Sequence, residues 1–179
     1  MPTLLRDPWL PPELENLPQR TGQPPRLSVN LPCEQIEQAS PPAVLSTLLN
    51  RLRQLPAITV TPYDHSRYPE GTIALSLPEE LARGQPEAFL DGTIFALVRP
   101  DGSIELRLKP EWGEVVLQAR WGTIHPLARY LSGIVPPQSL IIFAPRNEEE
   151  IEVVIRIVQS AAWYAQGRVY DTPLPDSRW

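Results

Sequence analysis

The stretch TIFALVRPDGSIELRL, residues 93–108, decides the fold class. Two alternating runs, 93–98 and 103–108, are joined around Pro100, Asp101 and Gly102. Proline presets φ for a turn and glycine accepts the positive φ that closes it, so the spacing predicts a β-hairpin. Hairpin strands are antiparallel, and the sheet built on this one is expected to be mostly antiparallel.

Downstream, KPEWGEVVLQARWG (109–122) has Pro110 in a first-turn position, Glu111 and Glu114 early and Arg120 late. Charge and helix dipole agree on a helix ending near Gly122. SLIIFAP (139–145) is continuously apolar and predicts a central buried strand. Asn147 then opens a long helix with Ile151, Val154, Ile155, Val158, Ala161, Ala162 and Ala165 on one stripe, closing at Gly167. Upstream, PPAVLSTLLNRLRQLP (41–56) spaces its apolar residues by three and four after a proline start, which is an amphipathic helix. AITVTPY (57–63) and TIALSL (72–77) read as strands around the polar break DHSRYPEG. Gly84 and Pro86 limit the connection 77–92 to one helical turn. The expected fold is therefore α+β: a mostly antiparallel sheet with helices packed on one face and a long C-terminal helix.

The chain has 179 residues and 23 prolines, against a usual share of about 5%. Ten of the prolines fall within residues 1–42. Each removes a backbone donor and fixes φ, so residues 1–40 are read as an extended proline-rich arm, 41–170 as the α+β domain and 171–179 as a tail. The arm is the segment expected to mediate self-association or hold a partner. A net charge of −5 offers no basic face for a phosphate backbone, so no nucleic acid is expected. The single cysteine, Cys33, allows no internal disulfide. Neither a secretory leader nor an apolar run of membrane-spanning length is legible, and the expectation is a soluble cytoplasmic protein without membrane contact.

Glu148, Glu149 and Glu150 are consecutive and point about 100° apart on a helix, so they cannot converge on one metal ion. After Asn147 they suit a helix start: Asn147 accepts from the Glu150 N–H, and the Glu150 carboxylate reaches back to the Asn147 N–H. The two histidines, His65 and His125, show no metal-ligand spacing, and no dinucleotide, phosphate-loop or hydrolase motif is present; neither metal nor cofactor is expected. His125 lies between a helix and a buried strand, with Arg129, Tyr130 and Arg146 nearby in sequence. An imidazole there can take a proton from an acidic hydroxyl while a guanidinium holds the oxyanion. It can equally satisfy loop backbone, with Pro126 fixing its extended conformation. Trp112, Trp121 and Trp163 are read as core or pocket wall.

One ordered series of words is more specific: Trp121-Gly122, then His125-Pro126-Leu127-Ala128, then Pro136-Pro137, then Ala144 to Glu150 as APRNEEE. It resembles the C-terminal part of the fungal luciferases and the luciferase-like domain proteins of bacteria and fungi, over roughly residues 90–165. The resemblance implies an oxygenase that needs neither metal nor organic cofactor, oxidising with O2 a hydroxylated pyrone such as 3-hydroxyhispidin, or a similar enolisable small molecule. It assigns His125 as base or enolate hydrogen-bond partner, Arg146 and Arg129 as anion stabilisers, and Trp121 and Tyr130 as pocket wall. Where the fungal enzymes carry a histidine-rich strand, this chain has TIFALVRPDG without histidine, and the arm stands where they have an anchoring helix. The element order also looks distantly like MmcQ/YjbR modules, a fold-level analogy. The competing expectation is a noncatalytic small-molecule-binding or protein-interaction module on the same fold.

Overall fold

In the computed structural model, which describes residues 9–30, 33–128 and 138–169, the elements follow in the order α1 (Pro42–Arg53), β1 (Thr59–Pro62), β2 (Ile73–Ser76), β3 (Ile94–Val98), β4 (Ile104–Arg107), α2 (Pro110–Gln118), β5 (Gly122–Ile124), β6 (Ser139–Ile142) and α3 (Glu148–Ala165). The strands form one sheet in the order β1-β2-β3-β4-β6-β5. Every pairing in it is antiparallel. The hairpin read from 93–108 is its middle, with Ala96 opposite Leu106, Leu97 opposite Glu105 and Val98 opposite Ile104.

Residues directly across a ladder share a face, so the register sorts the side chains. Leu75, Ala96, Leu106 and Leu140 form one rung and Val98, Ile104 and Ile142 the next. These pack with Leu48 and Leu52 of α1, Trp112 and Val116 of α2, and the Ile151, Val154 and Val158 stripe of α3 in one core. All three helices therefore cover the same face, as the apolar alternation required. The opposite face presents Ala74, Leu97, Glu105, Ile141 and Thr123 in one rung. Beyond it lie Arg107 and Ser139, with His125 donating its N–H to the Ser139 carbonyl at 2.8 Å.

β5 departs from the sequence pattern, which predicts a helix end and loop at 122–124. Three residues are too few to show a period. Gly122 permits the pairing: a Cβ there would lie 2.6 Å from the Ile141 carbonyl oxygen. The α3 start also differs by one residue. Asn147 accepts from the Glu150 N–H at 3.0 Å as expected, but the Glu150 carboxylate accepts from the N–H of Arg146, at 2.8 Å, and not from that of Asn147.

The arm folds back on its own domain. The arm bonds to itself locally, as at the Pro12–Leu14 turn and the Leu27–Gln35 bridge, and several of its remaining carbonyls find donors in the domain. The indoles supply two: Trp112 Nε1 donates to Trp9 O at 2.9 Å and Trp121 Nε1 to Pro18 O at 2.6 Å, while Trp163 Nε1 donates to the Glu13 carboxylate at 3.0 Å. Arg156 donates to the carbonyls of Glu13 and Glu15. Leu14, in a 3-10 turn at Pro12–Leu14, is fully buried in the main core. Further on, Gln35 donates its N–H to Asp101 Oδ2, and its side-chain oxygen accepts from the Ala144 N–H. The arm is thus laced to the hairpin turn and to the end of β6. The tail 171–179 lies outside the described residues.

Candidate functional site

The helix-free face of the sheet holds a cavity of about 260 Å³. Its floor comes from the sheet: Leu97 and Arg99 of the β3 strand and turn, Glu105 and Arg107 of β4, and His125 just after β5. The segment after β1 supplies Tyr63, His65, Arg67 and Tyr68. Leu90 and Asp91 complete that side, and Cys33 of the arm forms a further part of the wall.

Arg99 is 2% exposed, and its Nη2 donates to Glu105 Oε2 at 3.0 Å. The same oxygen accepts from the Tyr68 hydroxyl at 3.0 Å, and the Tyr68 ring lies under the guanidinium, 5.9 Å from Cζ to centroid. Nε and Nη1 of Arg99 are buried and have no hydrogen-bond partner. Arg107 donates from Nε to Ser139 Oγ at 3.3 Å and from Nη1 to the Phe89 carbonyl. Burial pushes its pKa down, against the attraction of Glu105.

His125 is 2% exposed. Its Nδ1 accepts from the Leu127 N–H at 3.1 Å, so the neutral ring carries its proton on Nε2. Burial lowers its pKa from the usual 6.5, Glu105 working against that and Arg99 adding to it. His65 accepts in the same way from the Arg67 N–H at 3.1 Å. Its ring stacks on Tyr63 at 5.8 Å and 3° and meets Tyr68 edge-on, making an aromatic wall. Both histidines therefore offer Nε2–H as donors, and their ring acceptors are already engaged.

The remaining proton-bearing groups stay protonated. Burial and the hydrogen bond to Asp91 push Tyr63 up to about 12. Burial and then Glu105 push Tyr68 higher still. Burial raises the Cys33 thiol to about 11, and Sγ donates to the Ser28 carbonyl. Neither phenol nor thiol is poised to act as a nucleophile or base. Among the described residues no cluster of three or more His, Cys, Asp or Glu side chains is placed to hold a metal ion. No helix among them is long and apolar enough to cross a membrane.

Of the described residues given a site role from the sequence, His125 lies in the cavity wall and Arg146 and Trp121 do not. Arg146 is separated from it by the length of β6, because His125 pairs with Ser139 at the strand's start and Arg146 follows its end. The Arg146 guanidinium binds the Glu150 carboxylate, with Nη2 2.5 Å from Oε2, and donates to the Thr21 carbonyl at 2.9 Å. It joins arm to helix. Trp121 is an arm clamp and not a cavity wall. Arg129 and Tyr130 lie outside the described residues. Sequence reasoning missed Arg99, Glu105, Arg107, Tyr63 and Tyr68. The available signal was three charged residues at alternate positions of a strongly apolar hairpin, all of which the register places on one face.

The chain is similar to known proteins over the segment that forms this floor. A family model described as Luciferase domain matches residues 92–161. Among curated relatives, a luciferase of Neonothopanus nambi is 39% identical over 64 residues, covering 36% of this chain and 24% of that protein. Luciferases of Armillaria gallica and Armillaria mellea are each 38% identical over 64 residues, with the same coverage. The chain thus matches these curated relatives over about a quarter of their length. No solved structure matches, and the MmcQ/YjbR likeness gains nothing beyond the sequence pattern.

Proposed function

The chain carries a luciferase-like domain, and from that premise we propose that the sheet-face cavity binds an enolisable, oxygen-rich small molecule, a hydroxylated pyrone or close analogue, and oxidises it with O2 without metal or organic cofactor. The observation that carries this reading is His125: within the segment similar to the luciferases, it is the residue whose buried imidazole lines the cavity, its Nε2 proton available to an enolate oxygen. In the proposed reaction the enolate carbon bonds to O2, which is reduced to the peroxide level as the substrate is oxidised, and collapse of the peroxide releases CO2. Leu97, Leu90 and the Tyr63–His65–Tyr68 wall supply the ring-packing surfaces for such a ligand.

The test is to mix purified protein with 3-hydroxyhispidin and simpler 3-hydroxypyrones in air while recording O2 uptake, CO2 and light. Uptake above buffer, reduced at least about ten-fold in kcat/KM by His125→Ala, is the expected result. His65→Ala is no neutral control, since His65 lines the same cavity. Absence of both binding and uptake across the series would remove this reading. Binding without turnover is the second reading, favoured by the hydrogen bonds that already occupy Nδ1 of both histidines.

A further inference from the structure

The cavity holds donors that no protein acceptor meets. Arg99 is the clearest case: a buried guanidinium in the cavity wall spends Nη2 on Glu105 and leaves Nε and Nη1 unpartnered. A buried charged donor without a partner is costly, and two on one side chain call for an acceptor that the protein itself does not provide. Nε2–H of His125 and of His65 add to the donor side. On the acceptor side, Glu105 Oε2 already receives Arg99 and Tyr68, and Asp91 Oδ2 receives Tyr63 at 3.0 Å.

We propose that this cavity is a receptor for a small planar organic anion that arrives already ionised, an oxygen of it seated on an unpartnered guanidinium N–H of Arg99 with the His125 Nε2–H as a further donor. The proposal rests on the functional reading above and deepens it by naming the ionisation state of the ligand. Nε and Nη1 lie on different edges of the guanidinium and each is a charge-assisted donor, which favours an ionised oxygen over a neutral one. A cavity of about 260 Å³ admits one substituted ring. No phenol, thiol or imidazole Nδ1 of the site is free to remove a proton, so the ligand is taken as ionised before it binds.

The experiment titrates the full chain calorimetrically, at fixed ionic strength, with two matched pairs: a 3-hydroxypyrone against its 3-O-methyl ether, and benzoate against benzamide. The ionised member of each pair is expected to bind at least about ten-fold tighter, and Arg99→Gln to abolish that preference. Because Arg99→Gln leaves Glu105 buried without its partner, R99Q/E105Q is measured beside it; this double variant carries no lone buried charge and must show the same loss. Arg51→Gln, which removes a surface cation paired with Glu152, keeps the preference. Hydroxypyrone affinity plotted against pH is expected to follow the enol pKa of each analogue in turn. Equal affinity for neutral and ionised partners, or a preference that survives in both Arg99 variants, overturns the anion receptor. Arg99-dependent benzoate binding without O2 uptake from any pyrone keeps the receptor and removes the oxygenase. Pyrone turnover without preference for the ionised form does the reverse, and no binding by either pair removes both.

Discussion

At His125 the protein keeps a neutral imidazole where water would share it between two charge states. Burial is the main cause, with Arg99 adding to it and Glu105 opposing. The sign of the pH effect follows. Below the unfolded value near 6.5 the unfolded chain takes up a proton that the native state refuses, so stability falls as pH drops through that value towards the lower native one. Urea midpoints measured between about pH 7.5 and pH 5 should decline more steeply for the wild type than for His125→Gln. Parallel profiles would mean that the native ring protonates freely. Arg99 and Glu105 form a buried ion pair, with side chains 1% and 5% exposed. Removing one member strands a buried charge and should cost about 3–5 kcal/mol, whereas R99Q/E105Q should lose less. His125 was singled out for its place between a helix and a buried strand with arginines nearby in sequence, and the structure puts it in the cavity wall. The charged residues of the hairpin were not singled out. Strand alternation ordinarily sends such residues to solvent, and what turns them inward is cover supplied by residues 33 and 63–68, far away in sequence.

The turn joining β3 and β4 shows how an element can be read locally and still depend on something distant. Gly102 has φ +93, as a tight turn requires, and a Cβ there would come within 2.2 Å of Ser40 Oγ. That hydroxyl in turn donates to the Pro145 carbonyl at 2.6 Å. Gly102→Ala is therefore expected to destabilise by about 2–4 kcal/mol, from backbone strain and overpacking together. Adding Ser40→Ala should recover only part of this, because it relieves the contact and not the φ. Full recovery would place the whole effect in the contact. The hairpin, the three helices and β6 were readable because each carries its own period and stop signals: Pro42 and Pro110 open helices, and Asn147 caps the third. β5 was not readable, since Gly122–Ile124 becomes a strand only when β6 lies beside it. The one-residue shift of the Glu150 contact has a similar origin, because Arg146 holds both carboxylate oxygens and draws them past Asn147.

Across the whole molecule the arm is the component that composition described least well. Among its described residues it has one 3-10 turn, Pro12–Leu14, and one isolated bridge, Leu27–Gln35. Its prolines gave no sign that its carbonyls would be capped by tryptophans more than a hundred residues away. The same segment fills the core with Leu14, places Arg20 over the Phe143 ring at 5.2 Å, and leads into the residues that wall the cavity with Cys33. Removing residues 1–30 would leave Trp112, Trp121 and Trp163 without these acceptors and open the core where Leu14 sits. From one buried leucine and several part-buried hydrogen bonds, the loss is about 5 kcal/mol, comparable to the entire stability of many domains. The truncated chain is expected to unfold at a much lower urea concentration than the full chain, with red-shifted tryptophan emission before the transition begins. Trp121→Phe, which keeps the arm but deletes one clamp, should cost only about 1–2 kcal/mol and retain native emission. If the truncated chain unfolds at the same midpoint as the full chain, the arm adds nothing to the fold, and its contacts reflect adjacency alone. If truncation lowers the midpoint while Trp121→Phe does not, the arm is held by burial of Leu14 rather than by its carbonyls.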